Sequence, residues 1–149
     1  MINKGFTLIE LSVVVAIAGI LLGLVLTSFS KLNQKEILDK EVLLAVSILN
    51  EARANTLAAK DNASYGVRLE SSRIILFKSP YNGSESTNRI TLLDSRVALR
   101  DISLSGGGAE VVFNRLTGTS NQSGSFEIYL TSSTTQFKVI RVRQSGIIE

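Results

Sequence analysis

The sequence predicts an α+β protein in which a long N-terminal helix packs on a C-terminal antiparallel β-sheet domain. Three patterns support this fold class. An almost uncharged apolar stretch comes first, an amphipathic helical stretch follows, and short alternating apolar runs separated by turn residues fill the remainder. No proline interrupts Phe6 to Lys60, so the first two stretches are expected to form one continuous helix. With 149 residues, the chain has room for one domain plus an appended element.

The first element, residues 6–29, is predicted to be the membrane-spanning half of the helix. Between Lys4 and Lys31 the one formally charged residue is Glu10, and residues 11–26 carry no charge. As a helix the segment would be about 36 Å long, enough to cross a hydrocarbon layer of about 30 Å. A secretory signal would be shorter and would end in a small-residue cleavage site, so we expect this segment to be retained.

The second element, residues 30–62, is predicted to be the amphipathic half, with a stop at Lys60-Asp61-Asn62. Apolar residues recur at alternating spacings of four and three, at Leu38, Val42, Ala45, Leu49 and Ala52. The nearby charges sum to zero and are interpreted as a solvated helix face, formed by Lys31, Lys35, Lys40, Glu36, Asp39 and Glu41. A coiled-coil seam is the alternative for the apolar stripe. We favour cover by the chain's own sheet, because fewer than three clean heptads are present.

The third region, residues 63–149, is predicted to be a β-domain built on an antiparallel sheet. Its candidate strands cover residues 65–70, 73–78, 89–93, 96–102, 109–114, 125–131 and 136–143. Two stretches rich in Thr and Ser, residues 117–125 and 131–135, are expected to be loops between strands.

Composition excludes several classes of function. The chain has no histidine and no cysteine, which removes His-based triads, imidazole or thiolate metal sites and disulfides. No spacing of carboxylates, serines or lysines singles out a catalytic group, so neither an enzyme nor a cofactor is expected. Gly106-Gly107-Gly108 lacks the spacing of a phosphate-binding loop. The net charge of +3 permits nucleic-acid binding without predicting it.

Glu10 requires a physical explanation, because a carboxylate at the bilayer centre costs about 3 kcal/mol, and less near the boundary. Cleavage between Gly5 and Phe6 would create an α-ammonium on Phe6, one helical turn from Glu10. Within one chain this pair would neutralise the carboxylate. Between neighbouring chains it would set a fixed axial stagger. A boundary carboxylate that snorkels to water is the alternative interpretation.

Gly19 and Gly23 form a G-x-x-x-G pattern inside the apolar segment. This spacing can bring two helices close together, so both glycines are candidate helix contacts. The alternative is that they only loosen the helix.

The run Gly5-Phe6-Thr7-Leu8-Ile9-Glu10-Leu11, followed by apolar residues, resembles the type III signal of type IV prepilins and pseudopilins. The resemblance implies a pilin-like fold. It also implies that a prepilin peptidase removes the leader, residues 1–5, that Phe6 is then N-methylated, and that Glu10 directs assembly.

The same resemblance implies partners and a location. The partners would be other pilins or pseudopilins in a helical filament and an inner-membrane assembly platform, with ATP hydrolysed by another protein. The chain would cross the bacterial inner membrane once, with a cytoplasmic N-terminus and an exported β-domain.

A weaker resemblance covers the β-domain. Val111-Val112-Phe113, Phe126-Glu127-Ile128 and Phe137-Lys138-Val139-Ile140 are similar to the strand pattern of the H-type minor pseudopilins of the general secretion pathway and related minor pilins. This implies a minor subunit of a type II secretion pseudopilus. A minor type IV pilin that serves motility, adhesion or DNA uptake is the alternative.

DNA binding is the function that some minor pilins of this kind carry out with basic C-terminal residues. The basic residues that could form such a patch here are Arg89, Arg96, Arg100, Lys138, Arg141 and Arg143. The tail, residues 144–149, has neither an arginine cluster nor interleaved aromatic residues. DNA is therefore not an expected partner.

Overall fold

The computed structural model describes residue 5, residues 7–83 and residues 86–149, with the backbone alone described for residues 24–32. Contacts divide the chain into two compact units, Met1–Glu36 and Ile37–Glu149. Helix α1, Leu8–Leu57, contributes residues to both units. The prediction that the helix starts at Phe6 falls on a residue outside the described part.

In the first unit, α1 exposes apolar side chains on its surface. The large exposed ones are Leu8, Ile9, Leu11, Val13, Val14, Val15, Ile17, Ile20, Leu21 and Leu22. Over the described residues, no helix combines the length and the apolar character needed to span a membrane.

In the second unit, α1 buries the predicted apolar stripe. Leu38, Ala45, Leu49 and Ala52 are buried in the core, and Val42 packs against it. Because residues three and four apart share one helix face, this burial follows directly from their spacing. The interpretation of Glu41 as part of a solvated face was wrong, since Glu41 is only 4% exposed.

The end of α1 is set by backbone conformation. Ala59, Asp61 and Asn62 adopt positive φ angles of 47°, 53° and 55°, which a right-handed helix cannot continue. A short 3₁₀ turn, Lys60–Asn62, follows the helix at the predicted stop.

Seven strands follow the helix. They are β1 (Tyr65–Glu70), β2 (Arg73–Lys78), β3 (Arg89–Leu92), β4 (Val97–Leu104), β5 (Glu110–Val112), β6 (Gly124–Leu130) and β7 (Ser133–Val142). They form a four-stranded sheet in the order β3-β2-β1-β5 and a three-stranded sheet in the order β4-β6-β7. All pairings between these strands are antiparallel.

The division into two sheets differs from the single sheet that the sequence suggested. Alternation identifies which residues of a strand face inward, but it does not specify the neighbouring strand. Both sheets contribute their inward side chains to the same core as the α1 stripe, including Val67 of β1, Ile74 of β2 and Ile128 of β6. The α+β class is confirmed, with two sheets covering the helix stripe.

Candidate assembly and processing site

The predicted cleavage site lies immediately before the helix. Gly5 is exposed, and a Cβ placed on it would meet no other atom within 4 Å. Phe6, the other residue of the predicted scissile bond, lies outside the described part of the chain. Cleavage between these two residues and methylation of Phe6 therefore stay predictions.

Glu10 occupies the first turn of α1. Its backbone N–H donates to Thr7 Oγ1 at 3.3 Å, and the N–H of Leu11 donates to the Thr7 carbonyl at 3.2 Å. The first bond caps an N–H group that the first turn of a helix leaves without a partner, and the second is an ordinary i→i−4 helical bond. The partial positive charge of the helix N-terminus also favours a carboxylate there.

The Glu10 side chain is available to a partner. Its residue is exposed, and within the described residues its carboxylate forms no ion pair. A cation that neutralises it would have to come from the segment before Thr7 or from another molecule. Its predicted role in assembly is consistent with this exposure but is not tested by it.

Gly19 and Gly23 lie on one face of α1, since they are four residues apart. A Cβ placed on either glycine would meet no other atom within 4 Å. The helix surface is therefore open at both positions. Helix–helix contact at this pair remains a prediction.

Glu41, which the sequence analysis placed on a solvated helix face, is a buried acid in the second unit. The backbone N–H of Asp94, in the turn between β3 and β4, donates to the Glu41 carboxylate. The Oε2 atom of Glu41 is buried and has no hydrogen-bond partner in the described structure. Burial raises the pKa of Glu41, and the hydrogen bond from Asp94 opposes this rise.

Asp94 itself is held in the charged form. Arg96 donates to it from its backbone N–H at 3.0 Å, from Nε at 2.9 Å and from Nη2 at 2.7 Å. The Arg96 guanidinium thereby keeps the pKa of Asp94 well below its ordinary range. The sequence pattern does not predict the contact between this turn and Glu41, because residues 41 and 94 are far apart in the chain.

The basic residues considered for DNA binding are mostly paired with acids. The ion pairs are Arg89–Glu51, Arg96–Asp94, Arg100–Glu127, Lys138–Asp39 and Arg143–Glu149. Arg100 also stacks over Tyr129, with its guanidinium carbon 4.6 Å from the ring centre. Of the six residues, Arg141 alone has no acidic partner among the described residues. The positive charge that phosphates would contact is thus largely neutralised.

Comparisons with known proteins match the N-terminal residues to a family model and the fold to solved structures. Residues 1–26 match the prokaryotic N-terminal methylation motif. No curated protein is significantly similar to the chain in sequence.

Two crystal structures of the type IV minor pilin FimU from Pseudomonas aeruginosa have a similar fold. The P21 form has a TM-score of 0.58 at 12% identity and covers 77% of this chain and 88% of FimU. The P65 form has a TM-score of 0.52 at 14% identity, with coverage of 78% and 87%. The chain thus carries the prokaryotic N-terminal methylation motif at residues 1–26 and has a pilin-like α+β fold.

Proposed function

We propose that this protein is a minor structural subunit of a type IV pilin-class filament and is not an enzyme. One observation carries the proposal: the N-terminal methylation motif of residues 1–26 is joined to a pilin-like α+β fold. The motif would supply the processing signal, and the fold supplies a helix that exposes apolar side chains over residues 8–23. A filament interior or a lipid bilayer would cover those side chains.

Apolar burial would drive both membrane retention and assembly. Covering one large aliphatic side chain contributes about 1.5–3 kcal/mol, and Leu8 is 87% exposed. We infer that residues 6–29 lie in the inner membrane before assembly, with the N-terminus in the cytoplasm and residues 63–149 exported. The uncharged run of residues 11–26 supports this location.

Processing would create a positively charged partner for the Glu10 carboxylate. Prepilin peptidase would hydrolyse the amide bond after Gly5, leaving the carboxylate on Gly5 and a free α-amine on Phe6. A methyltransferase would then add one methyl group to that amine. In the filament the amine of one subunit would pair with Glu10 of its neighbour and so set the axial offset between them.

For the type of filament, we propose a type II secretion pseudopilus. The strand pattern around Phe113, residues 126–128 and residues 137–140 supports this assignment. A pilus is the second candidate, favoured by the fold shared with FimU, a type IV minor pilin. Deletion of the gene would separate the two, because loss of protein secretion with intact pili indicates the pseudopilus and the reverse result indicates the pilus. DNA uptake is less favoured, since five of the six candidate cations are in ion pairs.

Intact-mass analysis of the membrane-extracted protein tests processing. The mature chain should lack residues 1–5 and carry one additional methyl group. The control is Gly5→Leu, which places a side chain at the position that the motif reserves for glycine and should leave the chain uncleaved. A full-length wild-type chain in cells that express the peptidase would contradict the proposal.

Substitution of Glu10 tests assembly. Glu10→Gln removes the negative charge at nearly constant size and should lower the amount of subunit in purified filaments by about tenfold, a loss of about 1.4 kcal/mol. Glu36→Gln removes an exposed acid from the same helix and should assemble like wild type. Quantitative mass spectrometry of the filaments measures both. Equal incorporation of Glu10→Gln and wild type would refute the charge-pairing mechanism.

A further inference from the structure

A cleft of about 310 Å³ lies in the second unit, where the end of α1 and the 3₁₀ turn approach β1 and β2. Leu76 and Phe77 of β2 line it together with polar side chains from the helix, the turn and the strands. Its size is at the lower end of the roughly 300–1,000 Å³ typical of small-ligand sites. None of the residues discussed above as processing or assembly sites lines it.

The two acids of the cleft already have partners. Glu51 accepts two hydrogen bonds from Arg89, at 2.7 and 2.5 Å. Asp61 accepts a hydrogen bond from the Tyr65 hydroxyl at 2.7 Å. Desolvation, reinforced by Asp61, raises the pKa of Tyr65 to about 12, so this hydroxyl remains a donor at neutral pH. The acids therefore offer little to an incoming cation.

Three donor groups of the cleft are unoccupied. Within the described residues, the ammonium groups of Lys60 and Lys78 and the side-chain amide of Asn55 form no hydrogen bond or ion pair. Among the described residues that line the cleft, three side chains are basic and two are acidic, which gives this described lining a net positive charge. An anion would satisfy donors that the chain itself leaves free.

We infer that this cleft binds carboxylate side chains of an acidic peptide segment from another protein. The free ammonium groups would contact the carboxylates, while Leu76 and Phe77 would contact the aliphatic carbons that connect them to the peptide backbone. A glutamate side chain combines both features, whereas inorganic phosphate offers only the charge. The inference does not rest on filament assembly, because the described residues that line the cleft all belong to one chain.

Binding of a synthetic peptide to the full chain in non-ionic detergent micelles tests this inference. The probe is Gly-Glu-Leu-Glu-Gly blocked at both ends, and the matched peptide carries Gln in place of each Glu. Isothermal titration calorimetry should detect saturable binding of the Glu peptide alone. Lys60→Gln and Lys78→Gln should each weaken binding by about fivefold, and the double variant by about 25-fold. Lys35→Gln, which removes an exposed lysine outside the cleft, should bind like wild type.

Several outcomes would overturn the inference. These are no binding by the wild-type chain, equal binding of the two peptides, unchanged binding by the double variant, or displacement of the Glu peptide by an equal concentration of inorganic phosphate. Thermal unfolding of each variant checks its folding, and the single variants decide the question if the double variant is unfolded. Because the assay uses unassembled chains, its result is independent of the Glu10 filament experiment.

Discussion

Two stretches of α1, residues 8–23 and residues 37–57, have similar local structure and opposite surroundings. Both are regular helix and both are rich in apolar side chains. The first exposes its leucines, isoleucines and valines, whereas the second buries a stripe that includes Leu38 and Leu49. The chain's own sheets cover the second stretch. The comparison shows that two helical stretches of similar apolar content can differ in burial. The difference depends on whether the chain itself supplies a surface that packs against them.

Each stretch also contains a carboxylate that is exposed or buried like the apolar side chains around it. Glu10 is exposed and has no ionic partner among the described residues, whereas Glu41 is buried and accepts a backbone hydrogen bond from Asp94. The exposure of Glu10 is consistent with the contact to another subunit that is proposed above. Glu41 is instead an internal group, and its burial opposes ionisation.

The largest predicted difference is in the free energy of unfolding, when one leucine in each stretch is shortened to alanine. Leu49 has 0% exposure, so Leu49→Ala should lower the free energy of unfolding by about 3 kcal/mol through lost burial and a cavity. Leu21 is 57% exposed, and Leu21→Ala should change it by less than about 0.5 kcal/mol. Urea unfolding of the full chain in detergent measures both. Equal losses would contradict the division between the two stretches.

A smaller effect is expected from a buried hydroxyl at the end of the covered stretch. Thr56 Oγ1 donates to the Ala52 carbonyl at 2.9 Å and accepts the backbone N–H of Tyr65 at 2.8 Å. Thr56→Val keeps the shape but leaves that N–H without an acceptor, at a cost of about 2 kcal/mol. Thr134→Val changes an exposed threonine of β7 and is the matched control. If both variants unfold at the same urea concentration, the link between α1 and β1 is not stabilising.

The smallest effect, and one of opposite sign, concerns Glu41. Burial raises its pKa above the ordinary value of 4.5, so the folded chain binds this proton more tightly than the unfolded chain. Its destabilising contribution is absent below the ordinary value and grows as the pH rises through the folded pKa. Glu41→Gln should therefore stabilise the protein at neutral pH and have almost no effect near pH 4.

Unfolding midpoints at the two pH values measure this difference. Glu36→Gln, an exposed acid on the same helix, serves as the control for a simple change in net charge. A stabilisation by Glu41→Gln that is the same at both pH values would show that the burial of charge is not its cause.

The sequence predicted the elements that depend on local patterns. The stripe from Leu38 to Ala52 was confirmed as core, and seven predicted strands are present. The boundary of β7 was wrong, because Ser133–Thr135 was expected to be loop but extends the strand that pairs with β6. Polar residues can belong to a strand when the residues beside them pair with the neighbouring strand. Composition alone does not reveal such pairing.

Features that depend on distant residues could not be predicted. The two-sheet arrangement requires β4 to pair with β6, and the burial of Glu41 requires the turn at Asp94. The cleft likewise joins Glu51 of α1 to Arg89 of β3. At the N-terminus the situation is reversed, because the motif of Gly5, Phe6 and Glu10 is entirely local and could be identified without the structure.

The described hydrophobic core contains no residue before Ile37. The free energy that folds the domain is therefore supplied independently of whatever surrounds residues 8–23. Under the function proposed above, a subunit that leaves a filament would therefore enter the lipid with its tertiary structure intact.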